Sequence, residues 1–225
     1  MDRNCSERKS FMKKRRFREF VANWLRENPH FWYSLLLLPI FICYFVPEQL
    51  IVTGYHPTQI AFDSMIPLLP GFVYCYLLWF PLLVFGGFWL LLTDGVVFRR
   101  YMVFLTVAYL ISAAVYLSYP NGQDLRPTNL NVHDLSTTIL AFIYRVDTNT
   151  NVLPSLHVIG SVGAAAALCK SESIRSGLVK AAIVILAVLV SISTVFIKQH
   201  GIVDVIAGLA VGLLLCPIIC RKTKK

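Results

Sequence analysis

Six runs of about twenty apolar residues divide this chain, and a chain so divided has few ways to fold. They lie at 31–52, 70–93, 101–119, 153–170, 178–198 and 201–219. A bilayer offers the backbone no water, so only helices and closed barrels cross it. Runs this long without strand alternation exclude the barrel. The expected fold is all-α: a polytopic membrane bundle of six transmembrane helices. Pro39 and Pro47 in the first run are tolerable in a membrane helix, and the fourth run is rich in Ala and Gly, as suits a helix inside a bundle. The 56% hydrophobic content agrees.

The charges support the same division. Of 21 Lys and Arg, nine precede residue 30, two stand at 99–100, three at 170–180 and four after 220. Six alternating spans place all eighteen on one side, which the positive-inside rule makes cytoplasmic, together with both termini. Arg126, Arg145 and Lys198 are left for the other side. The net charge of +9 is thus a topology signal, and no nucleic-acid partner is needed to account for it.

The organisation is a basic segment 1–30, a membrane domain 31–220 and a basic tail 221–225. Within the first, residues 11–26 read as an amphipathic helix: Phe17, Phe20, Val21, Trp24 and Leu25 on one face, Lys13, Lys14, Arg15, Arg16 and Arg18 around them. Such a segment lies on an anionic leaflet, chiefly as an anchor that fixes orientation. Six cysteines without paired spacing read as small apolar fillers. On the far side, residues 53–69 hold Asp63 and Ser64 with no cation. Residues 131–146 predict a surface helix, with Asn131 and Asp134 as a cap pair and Leu135, Ile139, Phe142, Ile143 and Val146 as its apolar face.

Three short motifs carry the chemistry. His200 and Asp204 stand at i and i+4, so a carboxylate one turn on can take a proton from one ring nitrogen and leave the other nucleophilic. Gly201 clears space for an approaching phosphate. Pro154-Ser155-Leu156-His157 predicts a helix start, with Pro154 in the first turn. Its free N–H groups and the Ser155 hydroxyl would hold an anion, while His157 would act as general acid and base. Arg126-Pro127 supplies a guanidinium that can fork two phosphate oxygens, and Lys198 a second cation. Separately, each has an ordinary explanation: a capped His, a loop Arg, a Lys reaching for headgroups. Together they fall on one membrane face, and an interfacial Asp is costly enough to make function its default reading.

These motifs resemble the three-part signature of the type 2 phosphatidic acid phosphatase superfamily: KxxxxxxRP, PSGH and SRxxxxxHxxxD. The resemblance spans residues 119–204. It implies the helical membrane core shared with vanadium haloperoxidases, a phosphohistidine intermediate, and no metal or other cofactor. By that correspondence His200 is the nucleophile, Asp204 its partner and His157 the general acid, while Arg126 and Ser155 bind phosphate. Three positions depart from it: Tyr119 stands for Lys, Leu156 for Gly and Thr194 for Arg. Lys198 is the candidate replacement for the lost charge. PSLH with ST…HxxxD is closer to inositol phosphorylceramide synthase-like members.

The expected activity is hydrolysis of a lipid phosphomonoester or diphosphate at the outer face. Transfer of a phospho-headgroup to another lipid is the alternative, and non-catalytic lipid binding or transport on the same scaffold a third. The short chain and brief loops favour a bacterial plasma membrane. Which lipid is bound is not encoded in periodicity.

Overall fold

The computed structural model describes Arg16, Glu19 and residues 22–221. The expected helix at 11–26 therefore falls largely outside the described residues; 22–27 are helical. A 3-10 segment, Pro29–Leu36, runs directly into α1 (Leu37–Leu50). A loop excursion follows, with β1 (His56–Pro57), α2 (Ala61–Met65) and a 3-10 turn at Pro70–Phe72. Next come α3 (Val73–Leu77), α4 (Trp79–Thr93) and α5 (Gly95–Ser118). After β2 (Asn121–Gly122) the chain forms α6 (Leu135–Val146), α7 (Leu156–Lys170), α8 (Gly177–Phe196) and α9 (Ile202–Cys220).

Five apolar stretches are long enough to span a bilayer: Pro29–Leu50, Pro70–Thr93, Gly95–Ser118, Gly177–Phe196 and Ile202–Cys220. The fourth expected span is shorter than its sequence run. α7 has 15 residues, about 22 Å at 1.5 Å each, against a hydrocarbon core of about 30 Å. Pro154 lies before the N-cap Ser155 rather than in the first turn, which moves the start to Leu156. This helix has no need to face lipid. Ten of its 15 residues are buried, against α4, α5, α8 and α9. The third span also starts earlier than expected, at Gly95, so Arg99 and Arg100 ride on the opening turns of α5.

The outer helices have the opposite character. Leu38, Phe41 and Ile42 of α1, Val84 and Phe85 of α4, Leu178 and Ile185 of α8, and Leu213 and Leu214 of α9 are all exposed. Surface this apolar on several sides suits lipid, and the chain is a multi-pass membrane bundle. Between such helices lipid supplies no hydrophobic drive, so association rests on close packing. At Gly163 a Cβ would lie 2.2 Å from the Phe104 ring, and at Gly208 2.7 Å from the carbonyl oxygen of Ser155. α5 and α9 thus approach α7 at distances only glycine allows.

One end of the bundle gathers Arg99, Arg100, Lys170, Arg175, Lys180 and Arg221. There the Arg100 guanidinium donates to the Ile219 carbonyl and the Ser171 hydroxyl to Asp94. The other end carries the loops. β1 and β2 pair in parallel, His56 opposite Asn121 and Pro57 opposite Gly122, so the excursion after α1 is sewn to the loop after α5.

The surface helix α6 exists, with a later start and a different face. Asp134 alone caps it, accepting from the Thr137 N–H at 2.8 Å, while Thr137 Oγ1 accepts from the Asp134 N–H at 3.1 Å. Hydrogen bonds donated to it by the Thr137 hydroxyl, the Thr137 N–H and the Ser136 hydroxyl pull the exposed Asp134 carboxyl down to about 2. Asn131 lends only its backbone carbonyl, to His133. Leu140 and Ile143 are buried, whereas Leu135, Phe142 and Val146 are exposed. The helix faces both a small apolar core around Val73, Tyr76 and Ile197 and the open bilayer side.

Candidate active site

α7 and α9 place two imidazoles together. Ser155 caps α7, although its hydroxyl accepts the Val158 N–H at a long 3.5 Å, and its own N–H donates to the Asp204 carbonyl at 3.1 Å. That last bond fastens the start of α7 to the first turn of α9. His157, in the opening turn of α7, is packed between Tyr76 and Trp79, with ring centroids at 4.7 and 4.6 Å. His200 closes the turn between α8 and α9, its N–H and that of Gln199 both held by the Thr194 carbonyl. His157 Nδ1 and His200 Nε2 meet at 3.2 Å.

The carboxylate behind His200 is less engaged than the i, i+4 spacing predicts. Asp204 Oδ2 lies 3.8 Å from His200 Nδ1, beyond hydrogen-bond reach, and accepts the Gly201 N–H at 2.8 Å instead. His200 Nδ1 and Asp204 Oδ1 are buried without a partner. A closure of several tenths of an ångström would bring His200 Nδ1 within hydrogen-bond reach of Asp204 Oδ2. Asp63, noted only as an acid in a cation-free loop, is the missing brace. Its carboxylate accepts from Ile60 N and Ile202 N, each at 2.8 Å, and so caps α2 and α9 at once.

The cations stand back from the imidazoles. Arg126 donates to the carbonyls of Tyr144, Asp147 and Thr148 and to Gln199 Oε1, and it lies over the Tyr144 ring at 4.8 Å. Only Nε is left, buried and unpartnered. Burial lowers its pKa, though a guanidinium stays charged. The expected phosphate fork is therefore folded into the loop in this state. Lys198 adopts the left-handed conformation, φ 53°, and its ammonium donates to the carbonyls of Asp63 and Ile66 at 2.8 and 2.7 Å. Burial lowers its pKa as well. Tyr119, where the signature has Lys, stacks on His56.

Lys198→Met separates two roles. An anchor alone lowers the melting temperature, by the loss of two charge-assisted bonds each worth about 1.5–3 kcal/mol, and leaves inhibition by inorganic phosphate unaltered. A phosphate ligand weakens that inhibition as well. The two carbonyl contacts favour the first outcome.

Between the histidines and α1 is a cavity of about 30 Å³, room for one or two waters. Its lining includes His157, His200, Gln199, Tyr44, Glu48 and Asp147, and neither Lys nor Arg. Sequence reasoning missed Glu48, Asp147 and Gln199. Gln199 is the hub: Oε1 takes Arg126 and Nε2 donates to Asp147 at 3.1 Å. Burial, with Glu48 nearby, raises the Asp147 carboxyl. Glu48 in turn accepts the Thr148 N–H at 3.0 Å. Among the described residues no group of three or more His, Cys, Asp or Glu is placed to hold a metal ion.

The PAP2 superfamily model matches residues 82–225, well over half the chain. The chain belongs to the PAP2 superfamily. No curated protein and no solved structure matched it. The superfamily match takes in all three motifs and α4 to α9, leaving α1 and the 53–69 loop outside. Those unmatched parts nonetheless supply Glu48, Tyr44 and Asp63 to the histidine pair. Leu156, between Ser155 and His157, lines the cavity.

Proposed function

We propose that the protein is a lipid phosphatase acting at the outer membrane face through a phosphohistidine. The observation that carries the reading is the 3.2 Å contact between His157 Nδ1 and His200 Nε2 in a PAP2 superfamily chain. One proton shared across that contact defines both roles. With the proton on His157, His200 Nε2 holds the lone pair and attacks phosphorus. The bond to the leaving lipid oxygen breaks as His157 gives that oxygen its proton. His157, now neutral and unprotonated at Nδ1, takes a proton from water, which breaks the P–N bond and releases phosphate. Asp204, 3.8 Å from Nδ1, stabilises the imidazolium that forms.

The phosphate must part the two rings to reach Nε2. It then meets the free N–H groups at the start of α7, and Arg126 once its guanidinium turns from Gln199. Orientation supports the outer face: Arg99, Arg100, Lys170, Arg175, Lys180 and Arg221 gather at the opposite end, which the positive-inside rule assigns to the cytoplasm. A brief-looped chain of this kind suits a bacterial plasma membrane.

The cation-free lining of the cavity favours a second reading, transfer of a phospho-headgroup, because a phosphodiester brings one negative charge where a monoester brings two. Phosphate release from a panel of lipid phosphates, with and without acceptor lipid, decides. Release without acceptor supports hydrolysis. Product formed only with acceptor replaces that reading with transfer.

A further inference from the structure

An apolar groove of about 550 Å³ runs along the flank of the bundle and ends at His157. α1 supplies Phe41 and Phe45 to one wall, α6 supplies Phe142 and Val146 to the other, and Phe80 of α4 and Tyr109 of α5 lie between. Its inner end is formed by Tyr44, Asp147, Leu156 and His157, four residues that also line the small cavity between the histidines. Groove and cavity thus adjoin, one apolar and one polar, with His157 on the border of both. The wall residues Phe41, Phe45, Phe142 and Val146 are all more than half exposed, so the groove is open towards the bilayer.

We propose that this groove holds one hydrocarbon chain of the substrate lipid and that α6 determines which chains are accepted. The inference rests on the phosphatase reading for the chemistry at its inner end. The occupant follows from that shared border: a group bonded within a few atoms of a phosphate on His200 lies beside His157, where the apolar groove along α6 begins. The size is that of an ordinary ligand pocket. A chain arriving from the bilayer gains nothing from leaving water, since lipid is as apolar as the groove. Selection therefore depends on shape, on whether the chain fits between the α1 and α6 rings. That makes Phe142 and Val146 the specificity residues, because α6 is a surface helix of 12 residues rather than a bundle element.

The shared chemistry is a chain next to a phosphate, and straight acyl and branched prenyl chains are separated by experiment. Phosphatidic acids with eight- and sixteen-carbon chains and farnesyl phosphate are compared with glycerol 3-phosphate, in mixed micelles with the full chain. Val146→Trp narrows the groove beside the histidines. The expected result is a fall of at least about tenfold in the ratio of kcat/KM for the sixteen-carbon lipid to that for glycerol 3-phosphate. Phe142→Ala widens the same wall and is expected to shift preference towards the branched chain. An unchanged ratio in both variants overturns the proposal.

Binding is read separately with a phosphatidic acid carrying a diazirine on its chain, added to inactive His200→Ala protein. Crosslinks on α1 and α6 support the groove; crosslinks confined to α8 or α9 overturn it. Crosslinks on α1 and α6 without phosphate release by the unmodified protein would leave the groove standing and remove the phosphatase reading.

Discussion

If the phosphatase reading holds, His200→Ala is expected to reduce phosphate release by roughly 10³–10⁶-fold, the range for loss of a covalent nucleophile when only binding and positioning remain. The size follows from the geometry. His200 Nε2 faces His157 Nδ1 at 3.2 Å, so the attacking and proton-transferring groups are one pair. His157→Ala should cost less, about 10²–10⁴-fold, the worth of a general acid and base, and still less with a leaving group that needs no proton. The signature that separates them is a trapped intermediate. Brief incubation with a ³²P-labelled substrate whose leaving group needs no proton leaves acid-labile label on His157→Ala protein, because attack proceeds while hydrolysis stalls. His200→Ala carries none. Label on His200→Ala protein would assign the nucleophile elsewhere, and equal losses in both variants for every leaving group would remove the division of roles.

The helices and the two histidines were legible because each depends on local sequence. An apolar run of twenty residues has one outcome in a bilayer, and His200, in the turn just before α9, stays near Asp204 in its first turn through proximity in sequence, at 3.8 Å. Length was less legible for α7. The run 153–170 is mostly apolar, but its helix starts only after Ser155, and burial inside the bundle removes the demand for a full span. The loops were least legible. Arg126 binds carbonyls 18 to 22 residues away, Lys198 reaches 132 and 135 residues back to Ile66 and Asp63, and Glu48 meets Thr148 across 100. Periodicity carries no information at those separations. A cation with several ways to satisfy its donors reads as a phosphate ligand from sequence, and here main-chain carbonyls hold it. Asp63 left a faint trace, an acid in a loop with no cation to pair with, which is consistent with its use as a helix cap.

Gly208→Ala is expected to disable the site without touching it. The added methyl would stand 2.7 Å from the Ser155 carbonyl oxygen and 3.0 Å from Val158 Cβ. The first of these is backbone and cannot swing aside, so α7 and α9 must separate by several tenths of an ångström. The same two helices carry His157 and Asp204, and their link, Ser155 N–H to the Asp204 carbonyl, is already 3.1 Å long. Separation stretches that bond and pulls His157 from His200. Misplacement of reacting groups on the ångström scale costs about 10²-fold, and a shift of part of that should lower kcat by about tenfold or more. Overpacking adds about 1–3 kcal/mol of instability, visible as a lower melting temperature in detergent. Gly177→Ala is the control, since a Cβ there meets nothing within 4 Å. A Gly208→Ala protein with normal kcat and melting temperature would mean that α9 approaches α7 less closely than the Ser155 contact requires, and the coupling between helix packing and the histidine pair would have to be abandoned.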